Sequence, residues 1–402
     1  MKPDARLTTG PIGRTLLLFS LPVLGSNILQ SLNASINSVW VGRFLGEAAL
    51  TATSNANIIL FFLLGMYFYN FVMMTLRGAG DSRTPFWFML LSVVLDVVLN
   101  PVLIFGVGPL PALGIAGSAL ATLIAQLASL AAMMVLLYRR RHFLLLHRGQ
   151  LALLRPDPAI LRALVLKGLP MGLQMVVISS SAIVMMALVN AYGSQTTAAY
   201  GVASQLWTYV QMPALAVGAS VSSMVAQNVG AGLWQRVSRI TRVGLMFNVA
   251  MTGALVGLIY LFNRHSLGIF LGGDSVAIGI AQHINVVVLW SFILFGFTIV
   301  IFGTVRATGA VMAPLVILFL SMWVIRLPFA WVLGERIGAD AIWWSFPLGS
   351  VVSLGLAISY YQFGGWRRSH ILPAGGHPGE AVGQAPDTSM GTPCEDVVEQ
   401  VR

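Results

Sequence analysis

The chain has 402 residues, of which 57% are hydrophobic and only 9% are charged, and its mean hydropathy is +0.83. A water-soluble domain of this length needs far more charged surface, so a soluble fold is excluded. In lipid the backbone must satisfy its own hydrogen bonds, and the apolar stretches lack strand-like alternation, so we predict spanning helices of about 20 residues. Basic cytoplasmic loops explain the net charge of +10 better than nucleic-acid binding does.

Hydropathy predicts ten spans, at residues 15–41, 50–75, 86–106, 113–138, 161–190, 199–224, 240–262, 283–304, 313–334 and 342–363. The first is long enough to cross the membrane and has no export cleavage site, so we expect no cleavable signal peptide. The single cysteine, Cys394, can form no internal disulfide, and no Cys/His metal spacing is present.

The distribution of Lys and Arg predicts the orientation. With the N-terminus inside, 18 of the 23 basic residues fall in cytoplasmic segments and three fall in external loops (Arg43, Arg264 and Arg336). Of the other two, Arg326 lies within a span and Arg402 in the C-terminal tail. We therefore expect both termini to be cytoplasmic.

A polar connection after the fourth span divides the chain into two halves. We predict five regions: a cytoplasmic N-terminus (1–14), an N-terminal lobe (15–138), a cytoplasmic linker (139–160), a C-terminal lobe (161–365) and a disordered cytoplasmic tail (366–402). The tail is polar and rich in Pro and Gly, which is typical of disorder.

The two halves can be aligned with each other, but at two different offsets. Pro22 matches Pro170 at an offset of 148 residues, whereas Gly80 matches Gly309 at an offset of 229. The difference of 81 residues is sequence that the second half has and the first half lacks.

We place the seam of this deletion in the N-terminal lobe near residues 65–66, between Gly65 and Met66. The missing piece then corresponds to about residues 214–294 of the second half. Both parent helices run in the same direction, so fusing them preserves the downstream topology. The alternative interpretation is that the halves merely differ in length. Halves that begin on the same side form a parallel repeat, which predicts a substrate cavity between two bundles.

Five short segments occur in a fixed order: 76–85 (LRGAGDSRTP), 99–106 (LNPVLIFG), 114–122 (GIAGSALAT), 168–174 (GLPMGLQ) and 326–328 (RLP). The first three resemble the R-G-x-G-D-T-R-x-P, L-D-P-L-L-I-F-G and G-x-x-G-A-A-x-A-T motifs of multidrug and toxic compound extrusion (MATE) transporters. The fourth resembles the opening of their second lobe and the fifth their R-x-P helix. The resemblance covers about residues 10–368.

The resemblance implies an all-α membrane protein of two parallel-repeat lobes. The family has twelve spans, so ten spans agree with the deletion. It implies efflux of amphipathic, often cationic compounds by alternating access, driven by inward flow of protons or sodium. We expect a monomer in a bacterial inner (plasma) membrane that binds small molecules and lipid, but no nucleic acid. We expect no cofactor other than the coupling ion, no metal site and no enzymatic activity.

Asp96 is the clearest candidate for coupling, because ionisable groups inside a membrane are costly and usually functional. Asn100 lies four residues later on the same helical face. A low-dielectric environment disfavours a charged carboxylate, so Asp96 could bind and release protons. In family members with a cation site in the N-terminal lobe, the Asn precedes the Asp by four residues, whereas here the order is swapped. The alternative role for Asp96 is a helix-capping or snorkelling carboxylate.

Three more candidates come from the other helices of the first lobe. Asn37 occupies the place of the family's first-span acid and cannot titrate, but Asn37 and Asn33 could hydrogen bond in the cavity. Thr122 matches a hydroxyl of the same family site.

The second lobe lacks the acids of the sodium-coupled branch, so coupling through the first lobe, and protons over sodium, are favoured. Gln174 and Gln205 either line its cavity or bridge helices. We expect Arg326 to donate to a carbonyl group at a helix break near Pro328.

Two other functions stay open. One is a non-transporting remnant, because part of a lobe is missing. The other is a flippase for lipid-linked oligosaccharides, although such flippases usually carry several cationic residues in the cavity and here only Arg326 lies within a span. A membrane enzyme is least favoured, because no nucleophile–base pair is present.

Overall fold

The structure is a computed structural model that describes residues 7–45, 56–106, 112–140, 142, 157–268 and 276–368. Every long element in these ranges is helical, so the predicted all-α class is confirmed. The first half contains α1 (Ile12–Leu45), α2 (Ala56–Gly78), α3 (Arg83–Phe105) and α4 (Gly114–Arg139). The second half contains α5 (Pro158–Asn190), α6 (Ser194–Gly230), α7 (Trp234–Leu261), α8 (Asn263–Gly268), α9 (Val276–Val288), α10 (Ser291–Ala307), α11 (Met312–Phe319), a π-helical segment (Leu320–Arg326), α12 (Leu327–Ile337), α13 (Asp340–Phe363) and a 3-10 turn (Gly365–Arg368).

The predicted spans coincide with these helices. In the described residues, eight helices are long and apolar enough to cross a membrane, and α9 with α10, bent by 48°, forms a ninth. Helix α2 coincides with the remaining predicted span, 50–75, of which residues 50–55 lie outside the described residues. The predicted tail after residue 368 also lies outside them. A polytopic helical membrane architecture is thus confirmed, whereas the lobe boundaries stay a prediction.

Matching turns in the two halves support the second repeat offset. Gly80, after α2, has φ = +98° and Gly309, after α10, has φ = +89°, a left-handed conformation that favours glycine. These two glycines are the pair that defines the offset of 229 residues. In the first half, Asp81 then accepts hydrogen bonds from the backbone N–H groups of Arg83 and Thr84, each at 3.0 Å. This satisfies two of the N–H groups that are otherwise free at the start of α3.

Helix α1 joins the two halves. Its first turns pack against α6 and α7, where Leu16 and Val23 belong to one buried cluster with Met224. Further along α1, the hydroxyl oxygen of Ser35 lies 3.4 Å from that of Tyr209 on α6. The same helix packs extensively against α3, so it contacts both halves at once.

The segment before α1 is also fastened to the second half. The Asn228 side-chain amide donates to the carbonyl oxygen of Leu7 at 3.0 Å. The Arg236 guanidinium donates to the carbonyl oxygens of Thr9 and Gly10, both at 2.9 Å. The two halves are therefore closed against each other at the end of the molecule where α1 begins.

Helices α6 and α10 cross at short distance in the second half. A Cβ atom at Gly303 would lie 2.6 Å from the carbonyl oxygen of Gly218, and a Cβ atom at Gly218 would lie 3.3 Å from that of Ile299. Gly218 and Ile299 are 81 positions apart, which equals the difference between the two repeat offsets. In this half, an 81-residue segment therefore leaves α6 and returns on α10 beside the place it left.

A helix fused at such a crossing can pass from one path to the other without a large displacement. In the first half, α2 runs as one continuous helix from Ala56 to Gly78, across the predicted seam between Gly65 and Met66. The geometry of the intact half thus explains why a deletion of this length leaves one helix in the first half.

Candidate functional site

Three helices of the first half bring four of the predicted site residues into one hydrogen-bonded cluster. Asn37 comes from α1, Asp96 and Asn100 from α3, and Thr122 from α4. The Asp96 carboxylate accepts hydrogen bonds from the Asn37 amide at 3.0 Å, from the Thr122 hydroxyl at 3.0 Å and from the Asn100 amide at 3.3 Å. We call these four residues the Asp96 cluster.

The amide of Asn37 connects the other members of the cluster. It also donates to the hydroxyl oxygen of Thr122 at 3.2 Å, and its carbonyl oxygen accepts a hydrogen bond from Asn100 at 2.8 Å. Asn100 donates in addition to the backbone carbonyl oxygen of Asp96 at 3.0 Å. Each helix is thus linked to the other two through polar side chains.

The cluster is shielded from solvent. Asp96 is 1% exposed and Asn100 is fully buried. All three donors to the Asp96 carboxylate are neutral, and within the described part of the chain it forms no ion pair. Burying a charge without a counter-ion is costly, so this environment favours binding of either a proton or a cation by the carboxylate.

Two amide oxygens at the cluster are free to accept or to coordinate. The side-chain oxygens of Asn100 and Asn33 are buried and have no hydrogen-bond partner in the described structure. Asn33 lies one turn before Asn37 on α1. Together with the carboxylate and the Thr122 hydroxyl, these atoms form a set of oxygen ligands, which suits a proton network or a hard cation.

A close approach of α3 and α4 places Thr122 beside Asp96. A Cβ atom at Gly117 would lie 2.6 Å from the carbonyl carbon of Leu103 and 3.0 Å from the backbone nitrogen of Ile104. Only glycine permits this distance between the two backbones. Gly117 precedes Thr122 by five residues, so the glycine fixes the depth at which the hydroxyl meets the carboxylate.

The two glutamines of the second half lie apart from the Asp96 cluster. Gln174 is 1% exposed, donates to the carbonyl oxygen of Val311 at 3.2 Å and accepts a hydrogen bond from Arg306. It therefore bridges α5 to the turn after α10. Gln205 on α6 is exposed.

Arg326 lies over an aromatic ring. Its guanidinium carbon is 3.5 Å from the centroid of the Phe346 ring, and it donates no hydrogen bond to a described residue. The expected hydrogen bond to a free carbonyl is therefore not formed. The π-helical segment that ends at Arg326 leads directly into α12, so the chain turns from one helix into the next without a broken end.

Comparisons with known proteins agree with this architecture. The MatE family matches residues 170–332. The probable multidrug resistance protein YoeA of Bacillus subtilis is 37% identical over 349 residues, which cover 86% of this chain and 75% of YoeA. A crystal structure of a MATE protein in complex with MaD3S has a similar fold, with a TM-score of 0.76 and 17% identity over 92% of this chain and 98% of that one.

A second relative bears on the missing segment. The probable multidrug resistance protein YpnP of Bacillus subtilis is 28% identical over 449 positions, which take in 91% of this chain and 98% of YpnP. That alignment is longer than the whole 402-residue chain, so many of its positions have no residue here. YpnP thus contains sequence that this chain lacks, as the internal repeat predicts.

Proposed function

Because this chain belongs to the multidrug and toxic compound extrusion (MATE) family, as its identity to YoeA shows, we propose that it is a secondary active antiporter. It exports amphipathic, often cationic compounds in exchange for protons. Its substrates are small molecules, it acts as a monomer, and it catalyses no chemical reaction.

The Asp96 cluster is the observation that supports proton coupling. In the described residues Asp96 is the one buried acidic side chain, and all its donors are neutral. Protonation removes the buried charge and turns one carboxylate oxygen from an acceptor into a donor. The free side-chain oxygen of Asn100 is a neighbouring acceptor for the rearranged network. Sodium is the second candidate ion, because the cluster offers only oxygen ligands.

Helix α1 provides the connection from the ion to the substrate pathway. It contributes Asn37 to the Asp96 cluster and, two residues earlier, Ser35 to the contact with Tyr209 of the second half. A change in the hydrogen bonds of Asn37 therefore acts on the helix that holds the two halves together. Ion binding and rearrangement of the halves are coupled because they share this helix.

The basic residues support the orientation and the location. With both termini on the cytoplasmic side of a bacterial inner membrane, the closed end of the molecule around Leu7 to Val23 faces the cytoplasm. The described conformation then corresponds to the state that is closed to the cytoplasm.

Transport by purified protein in vesicles tests this proposal. Vesicles containing the wild-type chain are loaded with ethidium and given either a pH gradient or a sodium gradient of equal size. We expect the pH gradient to accelerate export and Asp96→Asn to abolish that acceleration. The matched control is Glu335→Gln, which removes an exposed carboxylate from α12 and should leave it unchanged.

The remnant hypothesis makes the opposite prediction for the wild type. A folded chain that moves no substrate under either gradient would refute the transport proposal and support the remnant. Acceleration by sodium alone would refute proton coupling while leaving efflux intact. Assembly of the Asp96 cluster from α1, α3 and α4, without the missing segment, favours the transporter.

A further inference from the structure

We propose that the start of α7 and the 3-10 turn after α13 form a binding site for the headgroup of an anionic phospholipid of the cytoplasmic leaflet. The proposal rests on the proposed orientation, but not on the efflux function or on the coupling ion.

The site is strongly basic. Its five arginines are Arg236, Arg239 and Arg242 on α7 and Arg367 and Arg368 on the 3-10 turn. In the described part of the chain none of the five pairs with a carboxylate. Four of them are exposed, and only Arg236, which holds the segment before α1, is partly buried. Their positive charges are therefore available to a phosphate.

Two tryptophans join these arginines into one cleft. The rings of Trp234 and Trp366 lie 6.4 Å apart at 60°, and the guanidinium of Arg367 lies 5.2 Å from the centroid of the Trp366 ring. A cavity of about 450 Å³ lies on the Trp234 side, where Arg236 and Arg239 contribute to its wall. A second cavity of about 430 Å³ lies on the Trp366 side. We call this feature the Trp234–Trp366 cleft.

The cleft opens where the lipid-facing surface begins. Arg239 and Arg242 share an exposed face of α7 with Met246 and Val249, which are 67% and 43% exposed. At 1.5 Å per residue, Met246 lies about 6 Å further along the helix axis than Arg242. A phosphate held by the arginines thus leaves its acyl chains along Met246 and Val249.

This sequence of charge, tryptophan and apolar surface fits a phospholipid better than a soluble anion. Basic pockets at the cytoplasmic ends of spanning helices attract anionic lipids, at about 1 kcal/mol per basic residue near the surface. Tryptophan prefers the same depth of the bilayer. Topology alone requires basic residues on this side, but it does not require a cleft between them.

A bound lipid would also act on the closure between the halves. Arg236 lines the cavity and donates to the carbonyl oxygens of Thr9 and Gly10, and Ile12 of α1 lines the same cavity. The headgroup would therefore contact both the segment that begins α1 and the start of α7, and would hold them together.

Lipid retention by the full chain tests the site. Wild type and variants are reconstituted in phosphatidylcholine vesicles containing phosphatidylglycerol, purified in mild detergent, and examined by native mass spectrometry for retained lipid. The cleft variant is Arg239→Gln with Arg367→Gln. The control, Arg139→Gln with Arg162→Gln, removes the same charge from the cytoplasmic ends of α4 and α5, outside the cleft.

We expect the wild type and the control to retain phosphatidylglycerol, and the cleft variant to lose it by about tenfold or more. We also expect phosphatidylglycerol to raise the melting temperature of the wild type and the control, but not of the cleft variant. Inorganic phosphate at equal concentration should neither displace the lipid nor reproduce this shift.

Equal loss in the cleft and control variants would overturn the proposal, because it would reveal general attraction between charges. Displacement by inorganic phosphate would overturn it as well, because the site would then bind a free oxyanion. The exposed side chains of Arg239 and Arg367 make misfolding of the variant an unlikely confounder, and a second variant, Arg242→Gln with Arg368→Gln, must give the same result.

Discussion

Replacement of Asp96 by asparagine separates coupling from folding. Asparagine has nearly the same shape as a protonated aspartic acid, but it cannot exchange its proton. If Asp96 carries the proton, Asp96→Asn removes the whole driving effect of a pH gradient. One pH unit is worth about 1.4 kcal/mol, or a tenfold ratio of substrate across the membrane. We therefore expect up to a tenfold loss of accumulation per pH unit.

The loss of stability should be much smaller. In Asp96→Asn the new amide nitrogen would face the donor nitrogen of Asn37 or the hydroxyl of Thr122. A flip of the Asn37 and Asn100 amides relieves this clash, because the side-chain oxygen of Asn100 has no partner to lose. The remaining cost is one or two rearranged hydrogen bonds, about 1–2 kcal/mol.

Asp96→Leu serves as the contrasting variant. It leaves the donors of Asn37, Asn100 and Thr122 without the carboxylate, and each unsatisfied buried donor costs about 1–3 kcal/mol. We expect a marked fall in melting temperature for Asp96→Leu and little change for Asp96→Asn. The assay is ethidium export from vesicles at several pH gradients, together with thermal unfolding. Gradient-dependent export by a stable Asp96→Asn protein would refute the role of this carboxylate.

Three further predictions concern neighbours of the site and the second half. Gly117→Ala should force α4 away from α3, cost about 1–3 kcal/mol in thermal unfolding and reduce coupled export, whereas Gly168→Ala, where a Cβ meets no atom within 4 Å, should be neutral or stabilising. Thr122→Val should weaken gradient-driven export several-fold and Thr122→Ser should restore it, because the hydroxyl donates to Asp96. Arg326→Met should leave the melting temperature unchanged or raise it, because the attraction to the Phe346 ring, about 2 kcal/mol, is smaller than the cost of burying an unpaired charge; a large fall would contradict this.

Hydropathy predicts the helices of this chain well because apolar length is a strong local signal. It does not predict their ends. Helix α6 runs from Ser194 to Gly230, beyond the predicted span 199–224, because its outer turns are polar and their helical hydrogen bonds leave no trace in hydropathy. The π-helical segment from Leu320 to Arg326 was not predicted either, because its residues are as apolar as those of the helices around it.

The candidate site shows the same division between local and long-range signals. The spacing of Asp96 and Asn100 predicts a shared helical face, and both side chains are indeed in the cluster. The contacts of Asn37 and Thr122 with Asp96 depend on the relative positions of three helices, which only the family resemblance could indicate. The partners of Gln174 come from residues more than 130 positions away, and no local pattern identifies them.

The face of α2 shows how the first half is adapted to its missing segment. In the second half, Gly296 and Gly303 are the places where neighbouring helices approach α10: a Cβ at Gly296 would lie 2.5 Å from the Asn248 side chain, and one at Gly303 2.6 Å from a backbone oxygen. At the repeat offset of 229 residues, their counterparts on α2 are Tyr67 and Met74, which are 62% and 58% exposed. Large side chains stand where close helix packing requires glycine.

This contrast predicts the outcome of restoring the missing segment. Inserting a copy of residues 214–294 between Gly65 and Met66 recreates the two crossing helices, but Tyr67 and Met74 would then overlap with their backbones. We expect the lengthened chain to unfold at a lower temperature than the natural one, and Tyr67→Gly with Met74→Gly to recover stability in the lengthened chain while destabilising the natural one. Such a reversal of sign requires that the two side chains and the missing helices occupy the same space. If the lengthened chain were the more stable one without these substitutions, the first half would still be built for the helices it lacks, and the adaptation argued from α2 would be wrong.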